Sequence, residues 1–200
     1  MKDILLTILR DKNTDIIKFR EVAHKLALIL ASDASGLLEK EEISINTPIA
    51  NASGAKLKND IILVPILRAA LSLLPAFLEY YPKAKVGFIG LKRDEKTAVA
   101  HLYYKNFPKI KNTDDIIILD PMIATGGSGI DAIKLLVEFG IKEEKIIFIA
   151  VISAKTGIDK IKKEFGKVKI ICAHQDKELN KNSYIVPGLG DFGDRYFGTL

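Results

Sequence analysis

The sequence has 200 residues, 48% of them hydrophobic and 28% charged, which suits one globular unit with a filled core and excludes a disordered chain. The net charge of +5 favours anionic ligands, but the 30 Lys and Arg residues are spread along the chain without a block of like charge, which argues for a solvated lysine-rich surface and against a nucleic-acid face. A single cysteine, Cys172, excludes an internal disulfide and fits a reducing compartment.

The N-terminus shows no apolar signal core, and the longest apolar run falls far short of a membrane span, so a cytoplasmic protein is expected. Along the chain, residues 14–38 carry helical periodicity through Ile16, Ile17, Phe19, Val22, Ala23, Leu26, Leu28 and Ile29, with Thr14 or Asp15 to cap the helix and Gly36 to end it. Residues 42–46 read as a strand, followed by turn formers to Gly54, and this hairpin is expected to be an arm outside the core sheet. Strands are expected at 61–66, 86–91, 116–119, 145–152 and 168–173, and helices at 69–80, 129–139 and 158–165, with Pro75 kinking the first of these. Residues 97–107 are expected to form an extended, mobile hairpin. Continuous apolar strands alternating with amphipathic helices predict an α/β fold with a mainly parallel sheet covered on both faces. In such sheets ligands bind beyond the carboxyl ends of the strands.

One strand end stands out. After Ile116–Leu119 the chain runs Asp120, Pro121, Met122, Ile123, Ala124, Thr125, Gly126, Gly127, Ser128 and then into a helix. An acid at the strand end can accept hydrogen bonds from sugar hydroxyls. Small residues let an anion approach backbone amides, the Gly pair permits left-handed angles, and the following helix aims unpaired N–H groups at the same spot. Thr125 and Ser128 add hydroxyl donors. No G-x-x-x-x-G-K-[ST] loop occurs, which argues against nucleotide hydrolysis through that motif. Gly188-Leu-Gly190-Asp-Phe-Gly193 matches G-x-G-x-x-G, but the sequence ends seven residues later, leaving no room for a dinucleotide fold. Cys172 reads as a strand residue, and His24, His101 and His174 as structural or exposed groups, with no cluster for a transition metal.

The run from Ile118 to Ser128 resembles the phosphoribosyl diphosphate signature of the type I phosphoribosyltransferases, in its uracil phosphoribosyltransferase form. Val64-Pro-Ile-Leu-Arg-Ala-Ala70 resembles that family's pyrophosphate loop, and Tyr184-Ile-Val-Pro-Gly-Leu-Gly-Asp-Phe-Gly-Asp-Arg-Tyr-Phe-Gly-Thr199 its uracil-binding C-terminus. Leu9-Arg-Asp-Lys-Asn-Thr14 with Phe19-Arg20, and Ile89-Gly-Leu-Lys-Arg-Asp-Glu95, are also similar to the family. The resemblance spans nearly the whole chain. It implies a single phosphoribosyltransferase domain with an N-terminal helix and β-arm (about 1–60), a core (about 61–174) and a C-terminal base-binding hood (about 175–200).

The implied reaction joins uracil to phosphoribosyl diphosphate, giving UMP and diphosphate. By resemblance, residues 120–128 and Asp191 hold the phosphoribosyl group, Arg68 and Arg93 bind the diphosphate side, and Ile185, Gly190, Asp191 and Phe192 form the uracil pocket. Arg68 and Asp191 are the implied catalytic pair; Asp191 either stabilises charge on the sugar or helps remove the base's proton. Arginine's planar fork suits phosphate oxygens, and only five arginines occur in this lysine-rich chain. Mg²⁺ is expected to arrive on the diphosphate, with no protein metal site. Some family members respond to GTP, and members form dimers or larger assemblies, here with the arm around 43–58 as a contact.

Three departures from the family pattern set structural questions. Ala70 and Ser72 stand where Gly is usual, and Ala70 crowds the loop if its φ is positive. Phe192 replaces a small residue, and its ring shrinks the base pocket if it points inward. The usual Ala-Pro-Glu-Gly is here replaced by Ser153-Ala-Lys-Thr-Gly157. Transfer to another base, and a regulatory RNA-binding role that retains the phosphoribosyl site, are the competing readings.

Overall fold

The computed structural model describes residues 1–93 and 100–199, and only the backbone of Lys92, Arg93 and Ala100. Two helices open the chain, α1 (Lys2–Arg10) and α2 (Ile16–Ser35), followed by the antiparallel pair β1 (Lys40–Asn46) and β2 (Asn51–Leu57), which form their own sheet. α1 was not among the expected elements, although Leu5, Leu6 and Leu9 bury one side of it. Asp15, not Thr14, caps α2, accepting the Lys18 N–H at 2.9 Å. Gly36 ends that helix with φ −67°, without a left-handed turn.

β3 (Ile61–Leu67) enters the main sheet and leads through a short 3₁₀ turn (Ala69–Ser72) into α3 (Leu74–Tyr80). Pro75 sits in the first turn of α3, where a missing N–H is harmless, so it starts a helix instead of kinking one. The expected strand at 86–91 is two pieces, β4 (Lys85–Val86) and β5 (Phe88–Arg93), both parallel to β3. β6 (Ala100–Asn106) returns antiparallel to β5; residues 97–99 of the expected hairpin lie outside the described residues, as do Asp94 and Glu95. Then come β7 (Asp115–Leu119), β8 (Met122–Ile123), α4 (Gly127–Glu138), β9 (Ile146–Ala154), α5 (Lys155–Glu164) and β10 (Lys169–Asp176). A small hairpin of β11 (Glu178–Leu179) and β12 (Ile185–Val186) and the helix α6 (Phe192–Phe197) complete the chain.

The sheet order is β10-β9-β7-β3-β5-β6, parallel except for the β5–β6 pair. The central strands are apolar on both faces because each feeds two cores by alternation. Leu63, Ile117, Leu119, Ile147 and Ile149 join the layer under α1, α2 and α3. Ile62, Val64, Ile116, Ile118, Ile146 and Phe148 join the layer with Ile130, Ile133 and Leu136 of α4 and Ile161 of α5. This period-two split explains why those strands read as unbroken apolar runs.

Candidate active site

β3, β7 and β9 lie side by side, with Pro65 paired to Leu119 and Leu119 to Ile149, so their carboxyl ends open on one edge. The loop after β7 is stitched to β9. The Asp120 N–H donates to the Ile149 carbonyl at 3.1 Å, and the Val151 and Ile152 N–H groups donate to the Pro121 carbonyl. The Met122 N–H donates to Asp120 Oδ1 at 3.3 Å, turning the chain back so that Met122 and Ile123 pair with β9.

Gly126 is left-handed, at φ 78°. A Cβ there would come within 2.6 Å of the Gly157 carbonyl oxygen, and a Cβ on Gly157 within 2.3 Å of the Ala124 carbonyl oxygen. Two backbones thus touch, and Gly157 in the first turn of α5 is the wall on which the loop rests. The first helical bond of α4 runs from the Ile130 N–H to the Gly126 carbonyl at 2.9 Å, and no side chain caps this end. The amides of Gly127, Ser128 and Gly129 therefore have no partner inside the helix, and the dipole adds positive potential at the same end. A hollow of about 50 Å³ lies there, lined by Asp120, residues 122–129 and Phe148. Backbone amides arranged in this way can cradle an anion.

The second strand end carries Arg68. It follows a cis peptide from Leu67, is exposed, and its side chain hydrogen-bonds to no described residue. Ala70 does not have a positive φ; it is buried in the apolar layer beneath the turn, so its methyl does not crowd the loop. Ser72 is also buried and donates to the Ala69 carbonyl at 2.6 Å, tightening the turn from within. Arg93 ends β5, and its side chain lies outside what is described.

The C-terminal segment arches over the same edge. In the β11–β12 hairpin Asn180 Oδ1 accepts the Asn182 and Tyr184 N–H groups at 2.9 and 3.0 Å. After β12 the Val186–Pro187 peptide is cis, and Gly188 and Gly190 have φ 62° and 81°. A pocket of about 280 Å³ opens between Met122 and Ala124 on one side and Asn182, Ser183, Tyr184, Ile185, Gly190 and Asp191 on the other. Asp191 caps α6, Oδ1 accepting the Asp194 N–H at 2.9 Å. A Cβ on Gly193 would sit 3.3 Å from both the Ala69 Cβ and Asp191 Oδ1, so the turn that bears Arg68 abuts the start of α6. The Phe192 ring points the other way. It is fully buried, edge-on to Phe19 at 5.0 Å between centroids, and Phe192 does not line the pocket, unlike its neighbour Asp191.

What holds this segment down was not among the expected site residues. Arg10 grips Asp176 with both arms, at 3.0 and 2.8 Å, and donates to the Gly188 carbonyl at 2.9 Å. Asp176 also accepts the Gly188 N–H at 3.0 Å. Burial alone would raise the Asp176 carboxyl. The Arg10 and Gly188 hydrogen bonds, with the Arg10 and His174 charges, outweigh it and hold the group below its usual range. Arg195 donates to the carbonyls of Leu9, Leu189 and Asp11 and lies over the Phe19 ring, 4.5 Å from its centroid. Arg20 donates to the Tyr196 carbonyl at 2.8 Å. Of the arginines whose side chains are described, Arg68 alone makes no hydrogen bond to a described residue.

The profile of a family described as uracil phosphoribosyltransferase matches residues 2–199. The chain belongs to this family. A uracil phosphoribosyltransferase of Campylobacter concisus is 43% identical over 195 residues, covering 98% of this chain and 93% of the relative. The solved structure of an Aquifex aeolicus protein superposes with a TM-score of 0.88 at 36% identity, covering 98% of this chain and 93% of that one. A hypoxanthine-guanine phosphoribosyltransferase of Bacillus anthracis shares the fold alone, at 13% identity and a TM-score of 0.54 over 80% of each chain.

In this uracil phosphoribosyltransferase family member, the anion cradle and the larger pocket share Met122 and Ala124 as lining. They are two compartments of one cleft. Among the described residues no three His, Cys, Asp or Glu side chains converge to hold a metal ion, and no helix is long and apolar enough to cross a membrane. His24 pairs with the exposed Glu79, and His101 is exposed. Cys172 is a half-buried strand residue beside the Ser153 hydroxyl, at 3.4 Å.

Proposed function

We propose that the chain transfers the 5-phosphoribosyl group of 5-phospho-α-D-ribose 1-diphosphate to uracil, giving UMP and diphosphate, as one phosphoribosyltransferase domain acting in the cytoplasm. The observation that carries this reading is the cleft itself: an anion cradle at the start of α4 that shares Met122 and Ala124 with a pocket roofed by Ile185, Gly190 and Asp191.

In this reading residues 125–128 take the 5-phosphate on backbone amides and hydroxyls, and Asp120 takes a ribose hydroxyl. Mg²⁺ enters as part of the substrate, carried on the diphosphate, as its preference for phosphate and water oxygens favours. Arg68, with Arg93 from the end of β5, neutralises the departing diphosphate. The sugar carbon that loses diphosphate gains positive charge, and catalysis is positioning plus electrostatics, without a covalent nucleophile. Asp191 is available for this: one carboxylate oxygen caps α6, and the group lines the pocket where the base meets the sugar. It serves either as a counter-charge or as the acceptor of the base's proton.

Uracil is read by backbone groups of Ile185 and of Gly190 to Phe192. Uracil presents an N3–H donor and a C4 carbonyl, and cytosine reverses both. A backbone set for uracil leaves a buried group unpaired with cytosine at each point, about 1–3 kcal/mol per group. The exposed β1–β2 arm, with Ile45, Ile49 and Leu57 uncovered, supports a homodimer or larger assembly that buries them.

The test is UMP formation from uracil, phosphoribosyl diphosphate and Mg²⁺ by purified protein, with cytosine, hypoxanthine and orotate as competitors for the role of acceptor. Turnover with uracil alone is expected. No UMP from folded protein, or a faster reaction with another base, would reject the reading. A parallel arm with GTP tests it as an effector.

A further inference from the structure

We propose that Arg10 and Asp176 are positioning residues of the base half of the cleft: between them they hold both backbone groups of Gly188 and so set how Ile185 and Gly190 face the base. The inference rests on the uracil reading above.

The two residues lie 166 positions apart, at the end of α1 and the end of β10, and neither lines the pocket. Their interactions converge on one peptide segment. The Gly188 N–H goes to Asp176 Oδ2 and the Gly188 carbonyl to Arg10 Nη1, while Arg10 and Asp176 lock each other by a two-pronged pair. With donor and acceptor of one residue both held, its φ of 62° is set from outside the loop. The turn is tight, since a Cβ on Gly188 would come within 2.1 Å of the Ile185 carbonyl oxygen. Ile185 and Gly190, both pocket-lining, are three residues before and two after this clamp. A buried, fully paired carboxylate with three hydrogen bonds is more than packing of this end of the chain requires, because Arg195 and the Phe192 ring already secure α6. The clamp acts where the backbone must present uracil-specific donors and acceptors at fixed positions.

The experiment uses the full chain with Arg10→Lys, Asp176→Asn and the double variant. Lysine keeps the charge beside Asp176 but cannot also reach the Gly188 carbonyl as a fork does. Steady-state kinetics are measured at a temperature where each variant is shown folded by its melting curve. Uracil KM should rise about ten- to a hundred-fold, as expected for a misplacement near 1 Å, while the KM for phosphoribosyl diphosphate stays within about two-fold. The double variant should be no worse than the worse single one, because both act on Gly188. Hydrogen exchange of a peptide spanning 185–191 should quicken while one spanning 116–130 does not. Equal shifts in both KM values, or an unmoved uracil KM, would overturn the proposal. If the wild-type chain makes no UMP, the uracil reading fails by itself, and the exchange comparison still decides whether Arg10 and Asp176 order the segment.

Discussion

Gly157→Ala separates loop geometry from stability. Gly157 lies in the first turns of α5, where alanine should gain about 1 kcal/mol in helix propensity. Its added methyl, however, would stand 2.3 Å from the Ala124 carbonyl oxygen, 3.0 Å from that carbonyl carbon and 3.0 Å from Ile123 Cγ2. Ordinary contact begins near 3.4 Å, so the loop backbone must retreat by roughly 1 Å, and overpacking of that kind costs about 1–3 kcal/mol. Offset by the helix gain, net destabilisation should be only about 0–2 kcal/mol. The displaced atoms belong to Ala124, one residue before Thr125 and at the seam of both compartments. A shift of about 1 Å at a substrate-positioning element costs on the order of 100-fold in turnover. The expected result is therefore a large fall in kcat/KM for phosphoribosyl diphosphate with a small change in melting temperature. Wild-type kinetics in Gly157→Ala would refute the claim that the start of α5 sets the loop.

Arg68→Ala should leave the melting temperature within the range of surface changes, about 0.5 kcal/mol, yet lower kcat by about 100- to 1,000-fold, read by UMP formation. Asp191→Asn keeps an equally good cap for α6, so stability should hold while turnover falls about 100-fold or more. Phe192→Ala should cost about 3–5 kcal/mol by denaturant titration, since the ring fills core against Phe19, and leave the uracil-to-cytosine preference unchanged. The depressed Asp176 carboxyl stabilises the fold at pH above its ordinary value of 3.8, and that contribution is lost as pH falls through its lower folded value. Asp176→Asn should accordingly flatten the fall in melting temperature as the pH drops below about 4.

The parts legible in the sequence are those whose signal is local. β3, β7 and β9 are apolar runs because each is buried on both faces, and the 120–128 loop declares itself by small residues between a strand and a helix. Ala70 and Phe192 posed questions that only three-dimensional placement answers: a negative φ for one and a ring turned into the core for the other. α1 escaped although its leucines lie on one face, because its nine residues are fewer than the roughly 11–18 over which helical periodicity is read. Arg10, Asp176 and Arg195 escaped because their partners are remote, 166 and 186 residues away for the pairs Arg10–Asp176 and Arg195–Leu9. A signal was nonetheless present. The scarcity of arginine that singled out Arg68 and Arg93 applies equally to the other three, all of which tie the C-terminal segment to other parts of the fold.

The two compartments have different mechanical support. The anion cradle rests on the sheet: β7 leads into it, β9 pairs with it through β8, and the Gly157 backbone backs it. The compartment proposed for the base rests on an appended segment whose carbonyls are held by arginine forks from α1 and α6 and whose Gly188 N–H is held by Asp176 at the end of β10. Among the described residues only Met122 and Ala124 line both compartments. In the proposed reading a change of size there reaches sugar and base together, whereas a change at Ile185 or Gly190 reaches the base first. In the proposed reading the choice of base is thereby set by the appended C-terminal segment and by its ties to α1 and to the end of β10.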